Sequence, residues 1–354
     1  MQMLESQAPA EPETSPPRGT WQTELAESVS DPAELCRLLG LSPALAGEAE
    51  RAAAGFSLLV SRPFLARIRS GDPADPLLLQ VLPRALETAA LGEGALDPLD
   101  ERSARCGPDL LRKYQGRLLM VTTAACAVHC RFCFRRHFSD RNEGFEAAEG
   151  PISAPEANRW APAIEVIAAD RTVREIILSG GDPLALDDAS LGQLADQLAD
   201  IPHLRRLRIH TRLPVMIPAR VTDDLVALLQ SCRLTPYIVL HVNHPAEIDV
   251  EVAASLGRLI DAGIPVMSQS VLLRGVNDRI EILVALYERL VDLRVLPYYL
   301  HQVDRAVGAT HFEVSVSVGL GLMAELRARL PGYAVPQYVR ETPGATSKEV
   351  LMAC

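Results

Sequence analysis

From residue 117 onward the chain alternates between two hydrophobic rhythms. Short runs dense in Ile, Val, Leu and Tyr have the length of strands: "RLLMVTTA" (117–124), "EIILS" (175–179), "RLRIHT" (206–211), "YIVLHV" (237–242), "IPVMSQ" (264–269) and "VLPYYLH" (295–301). Between and after them lie stretches whose apolar positions recur every three or four residues, among them "EANRWAPAIEVIAAD", "DASLGQLADQLADI", "DDLVALLQSC", "EVAASLGRLIDAG", "IEILVALYERLVDL" and "GLGLMAELRARL". Six strand–helix units in succession predict a parallel sheet covered by helices. The rhythm alone fits an open doubly wound sheet as well as a barrel. The loops after the strands separate the two, because each carries unusual chemistry: the cysteine loop, then "GGDP", "TRLP", "NHP", "QSVLLRGVND" and "HQVD". Barrels gather such loops around one mouth, whereas an open sheet concentrates its chemistry at one switch point. The expected fold is therefore α/β, a partial (β/α)6 barrel over 111–330.

The flanks read differently. Residues 1–19, rich in Pro, Glu, Ser and Thr, cannot repay their ordering entropy by burial and are expected to form a disordered tail. Residues 20–110 show short helical runs with start signals such as Ser30-Asp31-Pro32, giving an N-terminal helical segment. Residues 331–354 are expected to hold a last strand and a lysine-bearing segment.

The net charge of −10 argues against a nucleic-acid or anionic-membrane partner, since phosphate contacts need a surplus of Lys and Arg. Apolar runs fall short of a membrane span, and the polar, acidic start does not resemble a secretory signal. The seven cysteines are odd in number, and three cluster as C-x3-C-x2-C in "CAVHCRFCF". Without an export signal such a cluster points to a metal or redox site in a reducing compartment, so a cytoplasmic location is expected. Cys126, Cys130 and Cys133 could close a zinc site with His129 or His137, although no second C-x2-C is present. Alternatively, three thiolates suit an iron–sulfur cubane whose fourth iron stays open to a ligand. Cys36, Cys106 and Cys232 lack ligand spacing and read as small buried hydrophobes.

At this point the residues carry a resemblance. "CAVHCRFCF" after the first strand is similar to the signature of radical S-adenosylmethionine (SAM) enzymes. Ser179, Gly180, Gly181, Asp182 and Pro183 resemble the segment of that family that meets the methionine end of SAM. The glycines are expected to admit close backbone approach, and Asp182 to offer a carboxylate to the SAM ammonium. "RIHTRLPVMIPAR", "HVNHPAEID", "SQSVLLRGVND", "LPYYLHQVD" and "YAVPQYVRETPGATSK" narrow the resemblance to the lysine 2,3-aminomutases over residues 21–350. "DPAELCRLLGL" and "GDPADPLLLQVLP" look more like the short bacterial subgroup that makes (R)-β-lysine for translation elongation factor P.

The resemblance implies a [4Fe–4S] cluster, SAM and pyridoxal 5′-phosphate (PLP), with L-lysine as substrate and a reducing protein as electron donor. It implies that PLP is held as a Schiff base by Lys348, in surroundings of burial or neighbouring cations that favour a neutral amine. Lys113, Tyr114 and Arg117 would face the PLP phosphate. Arg135 would hold the substrate α-carboxylate in a bidentate fork. Asp304 and Glu341 would receive the distal ammonium, and His241 and Gln269 would contact SAM. The implied reaction is a 1,2-amino migration started by hydrogen abstraction by a SAM-derived radical. Glu341 stands where the long clostridial-type enzymes carry aspartate. The cysteines that bind zinc after the lysine in those enzymes have no counterpart, and Lys348 is followed by Glu349-Val350 instead of Thr-Pro. Arginine or glutamate as substrate, and a non-catalytic iron–sulfur or zinc module, remain as alternatives, and a homo-oligomer is open.

Overall fold

The computed structural model describes residues 20–89, 93–137 and 159–352. The expected tail at 1–19, Cys354 and the start of the helix expected from residue 156 lie outside the described residues.

Six short helices come first: α1 (Trp21–Ala26), α2 (Pro32–Leu38), α3 (Pro43–Ala53), α4 (Arg62–Leu65), α5 (Pro76–Leu79) and α6 (Ala85–Ala89). The starts of α2, α3 and α5 follow from local chemistry. Asp31, Ser42 and Asp75 accept hydrogen bonds from first-turn backbone N–H groups, and each is followed by a proline whose missing N–H costs nothing there.

The described residues then form one ten-stranded sheet, hydrogen-bonded in chain order. β1 (Arg105–Gly107) and β2 (Leu110–Tyr114) run antiparallel into β3 (Arg117–Thr123). From β3 the pairing is parallel through β4 (Glu175–Gly180), β5 (Arg206–Thr211), β6 (Thr235–His241), β7 (Val266–Leu272), β8 (Leu296–Gln302) and β9 (Gln337–Arg340). β10 (Glu349–Val350) returns antiparallel to β9. The two edges do not meet, so the sheet is a partial barrel, as the loop chemistry predicted. All six expected strands are present. Their buried side chains follow the pleat: β7 alternates buried and half-buried positions, while β4 is buried on both faces and correspondingly apolar.

Helices α7 (Ala161–Ala169), α8 (Asp188–Ala199), α9 (Leu213–Met216), α10 (Asp223–Ser231), α11 (Val250–Asp261), α12 (Ile280–Asp292) and α13 (Val316–Arg329) fill the crossovers. Every expected crossover helix is found, and short α9 was not foreseen. The end of the N-terminal segment also differs from expectation, because β1 and β2 form a hairpin at the boundary where the helical segment was expected to end. Leu110 and Leu111 register against Met120 and Leu119, and Gly116, at φ 75°, makes the tight return between Tyr114 and Arg117. Lys113 and Tyr114 therefore stand on a strand. One hydrophobic core runs from Trp21 through the sheet to Leu351, so the N-terminal helices pack on the barrel.

Candidate active site at the open end of the sheet

The loops at the strands' C-terminal ends enclose a cavity of about 1640 Å³. That exceeds the ~300–1,000 Å³ of a site for one small ligand. It is lined by all three clustered cysteines and by the residues the resemblance assigns to SAM, PLP and substrate: Lys113, Tyr114, Arg117, Arg135, Ser179, Gly180, Gly181, Asp182, His241, Gln269, Asp304, Glu341 and Lys348.

The cysteine loop leaves β3 and is pinned from below by the N-terminal helices. The backbone N–H of His129 donates to Leu59 O (2.9 Å) and that of Arg131 to Gln80 O (2.9 Å). The fully buried Arg131 pairs with Glu87 (2.6 Å), which also holds Arg136 (2.5 Å). Cys126, Cys130 and Cys133 carry free thiols. Burial, with the neighbouring acid and thiols, pushes Cys126 well above an ordinary thiol, and burial beside Cys130 brings Cys133 up to about 11. Such thiols become thiolates when a metal takes them. The histidines that might have closed a zinc site each have a ring nitrogen turned elsewhere. His129 Nδ1 lies 3.0 Å from Ser57 O, and His137 Nε2 lies 3.1 Å from Val307 O. Cys130 Sγ receives a hydrogen bond from Arg212 Nη1 at 2.8 Å, as cluster-ligating sulfurs do. Three thiol donors, one of them already accepting an N–H···S bond, fit an iron–sulfur cluster.

Gly180, the last residue of β4, and Gly181 both lie against the backbone of the cysteine loop. A Cβ on Gly181 would lie 2.2 Å from Ala125 O, and one on Gly180, at φ +123°, would lie 2.4 Å from Thr123 O. The approach that demands glycine is that of the cysteine loop's own backbone. Asp182 is likewise committed inside the protein. Its Oδ1 accepts from Leu184 N (3.0 Å) and Thr211 Oγ1 (2.7 Å), its Oδ2 from Arg212 N (2.7 Å) and Leu213 N (3.0 Å). With four hydrogen bonds accepted, the carboxylate braces the loops after β4 and β5 together. At the ends of β6 and β7, His241 and Gln269 sit side by side in register. The ring of His241 stacks on Phe132 with centroids 5.5 Å apart, which leaves one face of the cysteine loop walled by aromatic surface.

The other half of the cavity holds a chain of alternating charges. Arg135 forks onto Glu101, with Nε and Nη2 each 2.8 Å from a carboxylate oxygen, and its Nη1 donates to Ser179 Oγ (2.9 Å) and Gly180 O (3.2 Å). Glu101 also pairs with Lys113 (3.0 Å), Lys113 with Glu341 (2.7 Å), and Glu341 with Lys348. Burial would raise Glu101, but Arg135 and Lys113 outweigh it and hold it down at about 2. Glu341 is held at about 2 in the same way by Lys348 and Lys113. The bidentate edge of Arg135 is occupied by Glu101, because a buried guanidinium needs a counter-ion. Ser179 is a partner of Arg135. Lys348 faces a carboxylate, where apolar or cationic surroundings were expected.

Asp304, enclosed by protein at the end of β8, is the exception to this pairing. Burial, reinforced by Glu341, raises its carboxyl to about 7. His210 and His301 flank the same space, and burial keeps both imidazoles neutral, His301 at about 3. His210 Nε2 is buried without a hydrogen-bond partner. A buried, unpartnered ring nitrogen on a cavity wall fits a polar ligand that is bound there. Arg117 lies over the Tyr114 ring (4.8 Å), and Tyr298 stacks on Tyr299 (3.7 Å), so an aromatic and cationic wall stands beside Lys348. Glu101, Arg212, His210 and His301 were missed in the sequence. "HQVD" and "RIHTRLP" carried strand-end positions that could have flagged the last three, whereas Glu101 in "DPLDERS" has no signal of its own.

Residues 120–286 match the family model described as the Radical SAM superfamily. Partial barrel, cysteine loop and family match together define a radical SAM enzyme. The chain is 42% identical over 329 residues to an L-lysine 2,3-aminomutase of Haemophilus influenzae, covering 93% of this chain and 94% of that protein. It is 41% identical over 342 residues to the Escherichia coli protein of the same name (95% and 96% covered). It is 33% identical over 332 residues to that of Clostridium subterminale (94% and 77%). The chain belongs to the radical SAM lysine 2,3-aminomutase family and is an isomerase. Among the described residues no helix is long and apolar enough to cross a membrane.

Proposed function

We propose that this enzyme converts L-lysine to β-lysine with PLP as its second cofactor. The observation that carries the reading is Asp304: a raised carboxyl on the cavity wall, near Glu341 and Lys348 but outside the ion chain they belong to. A substrate with a distal ammonium supplies the missing cation. Cys126, Cys130 and Cys133 would hold the cluster, and the strand ends bearing Gly180–Asp182, His241 and Gln269 would shape the SAM site through backbone and ring surfaces. Lys348 would carry PLP, with Lys113, Tyr114, Arg117 and His210 around it. When bound, the cluster and SAM supply a primary carbon radical, and PLP supplies a π-system that carries the unpaired electron during nitrogen migration. The protein's part is to position and to exclude water. Glu101 sets the guanidinium plane of Arg135 and leaves net positive charge along the chain, three cations against two anions, for a carboxylate and a phosphate to use. Glu341, shared between Lys113 and Lys348, can turn to an incoming ammonium as those lysines take anionic partners.

The likeness to the short bacterial relatives supports β-lysine destined for elongation factor P, formed with electrons from a reducing protein. The test of the substrate is turnover of the anaerobically reconstituted enzyme with lysine, arginine or glutamate. β-Lysine alone is expected, and conversion of arginine or glutamate in its place would overturn the reading. Asp304 adds a pH signature. Above about pH 7 the carboxylate is charged and attracts ammonium, and below it the group is neutral. The KM for lysine should therefore climb toward ~tenfold per pH unit below that point. In Asp304→Asn the KM should be high and flat with pH, and a wild-type profile in that variant would refute the assignment. Glu101→Gln leaves Arg135 and Lys113 short of a counter-charge. It should destabilise the fold by about 3–5 kcal/mol, seen as a lower denaturation midpoint, and raise the KM about tenfold or more.

A further inference from the structure

Arg212 is the residue whose placement the family assignment leaves unused. Its guanidinium is buried at the end of β5, between Phe64 and Phe132, each ring centroid 5.6 Å away. Nη1 donates to Cys130 Sγ at 2.8 Å. Nη2 donates to Gln80 Oε1 (2.7 Å) and to Glu247 Oε2 (3.0 Å). The partners are themselves fixed. Glu247 is fully buried, and its Oε1 accepts from Gln80 Nε2, Asn243 N and His244 N, all at 3.0 Å. Asn243 Nδ2 donates to Gln80 Oε1 at 2.9 Å. The backbone N–H of Arg212 is held by Asp182. Gln80, Asp182 and Glu247 come from three separate parts of the chain, and together they aim one edge of a planar cation at one ligand sulfur.

We propose that Arg212 is a positioning residue that sets the reduction potential of the cluster through its N–H···S bond to Cys130, with Glu247 opposing it. Reduction adds one electron, taken from an external one-electron donor, and so adds one negative charge to the cluster. A cation and an N–H donor at a ligand sulfur stabilise that added charge and raise the potential, while the carboxylate behind the cation offsets part of the gain. The geometry therefore predicts shifts of opposite sign. Removing the cation makes reduction harder, and neutralising the carboxylate makes it easier.

The experiment is a dithionite titration of the SAM-free, reconstituted enzyme, followed by the electron paramagnetic resonance signal of the reduced cluster. Arg212→Gln should lower the midpoint by about 59 mV, a tenfold change in the reduced-to-oxidised ratio for a one-electron couple. Glu247→Gln should raise it. Arg212→Lys keeps the charge without the planar fork, and its midpoint should fall between wild type and Arg212→Gln. Iron per chain is measured on every sample. Unchanged midpoints in iron-loaded variants, shifts of the same sign for Arg212→Gln and Glu247→Gln, or loss of iron in all three variants would overturn the proposal, the last by assigning Arg212 to loop packing.

Discussion

Single replacement of Cys126, Cys130 or Cys133 by Ala is expected to strip the enzyme of its cluster and abolish SAM cleavage. Iron should drop from about four per chain to near zero. Cys36→Ala, Cys106→Ala and Cys232→Ala should keep both iron and cleavage. The physical reason is the loop's rigidity. Arg131 and Arg136 clamp it to Glu87, and Gly180 and Gly181 pack against Thr123–Ala125 with no room for a side chain. Neighbouring groups therefore cannot swing in to replace a lost thiolate. Iron and sulfide analysis, with 5′-deoxyadenosine release as the cleavage readout, checks this. Full iron content in any of the three variants would remove that cysteine from the ligand set.

Lys348→Ala separates the two proposed cofactors. It should keep its iron and still cleave SAM, while losing lysine isomerisation and the visible absorbance of lysine-bound pyridoxal. Lys348→Arg is the informative companion. It retains a cation for Glu341, so the ion chain that runs back to Arg135 keeps its charge pattern, yet it cannot bond the cofactor. Isomerisation should be absent in both variants. Activity retained in Lys348→Arg would show that the lysine serves only as a counter-ion, and PLP would have to be held elsewhere or not used.

The barrel and the location of its chemistry were legible because both are periodic or local signals. Strand-length apolar runs repeat with helical runs between them, and three cysteines in eight residues announce themselves. The hairpin of β1 and β2 was not legible, since "RCG" and "LLRKY" are too short to show alternation and are fixed by pairing with β3. The protein partners of the site residues were not legible either. Asp182, Arg135 and Ser179 were expected at ligands because their types suit ligands, and the structure adds that each is also engaged by a partner distant in sequence. Arg212 and Thr211 lie about thirty residues from Asp182, and Glu101 thirty-four from Arg135. A buried charge must be compensated, and a sequence does not say by which residue. Asp304 shows the converse. Its carboxyl was legible as a candidate, but only its surroundings just after β8 explain why that group is raised to about 7.

In the proposed site the three thiolates hold a multi-iron cluster with one corner open to SAM. Electron paramagnetic resonance of the reduced enzyme, recorded before and after SAM is added, tests it most directly. The cluster signal should change shape when SAM occupies the open iron. A chain carrying one zinc and no iron, or a cluster signal indifferent to SAM, would contradict it.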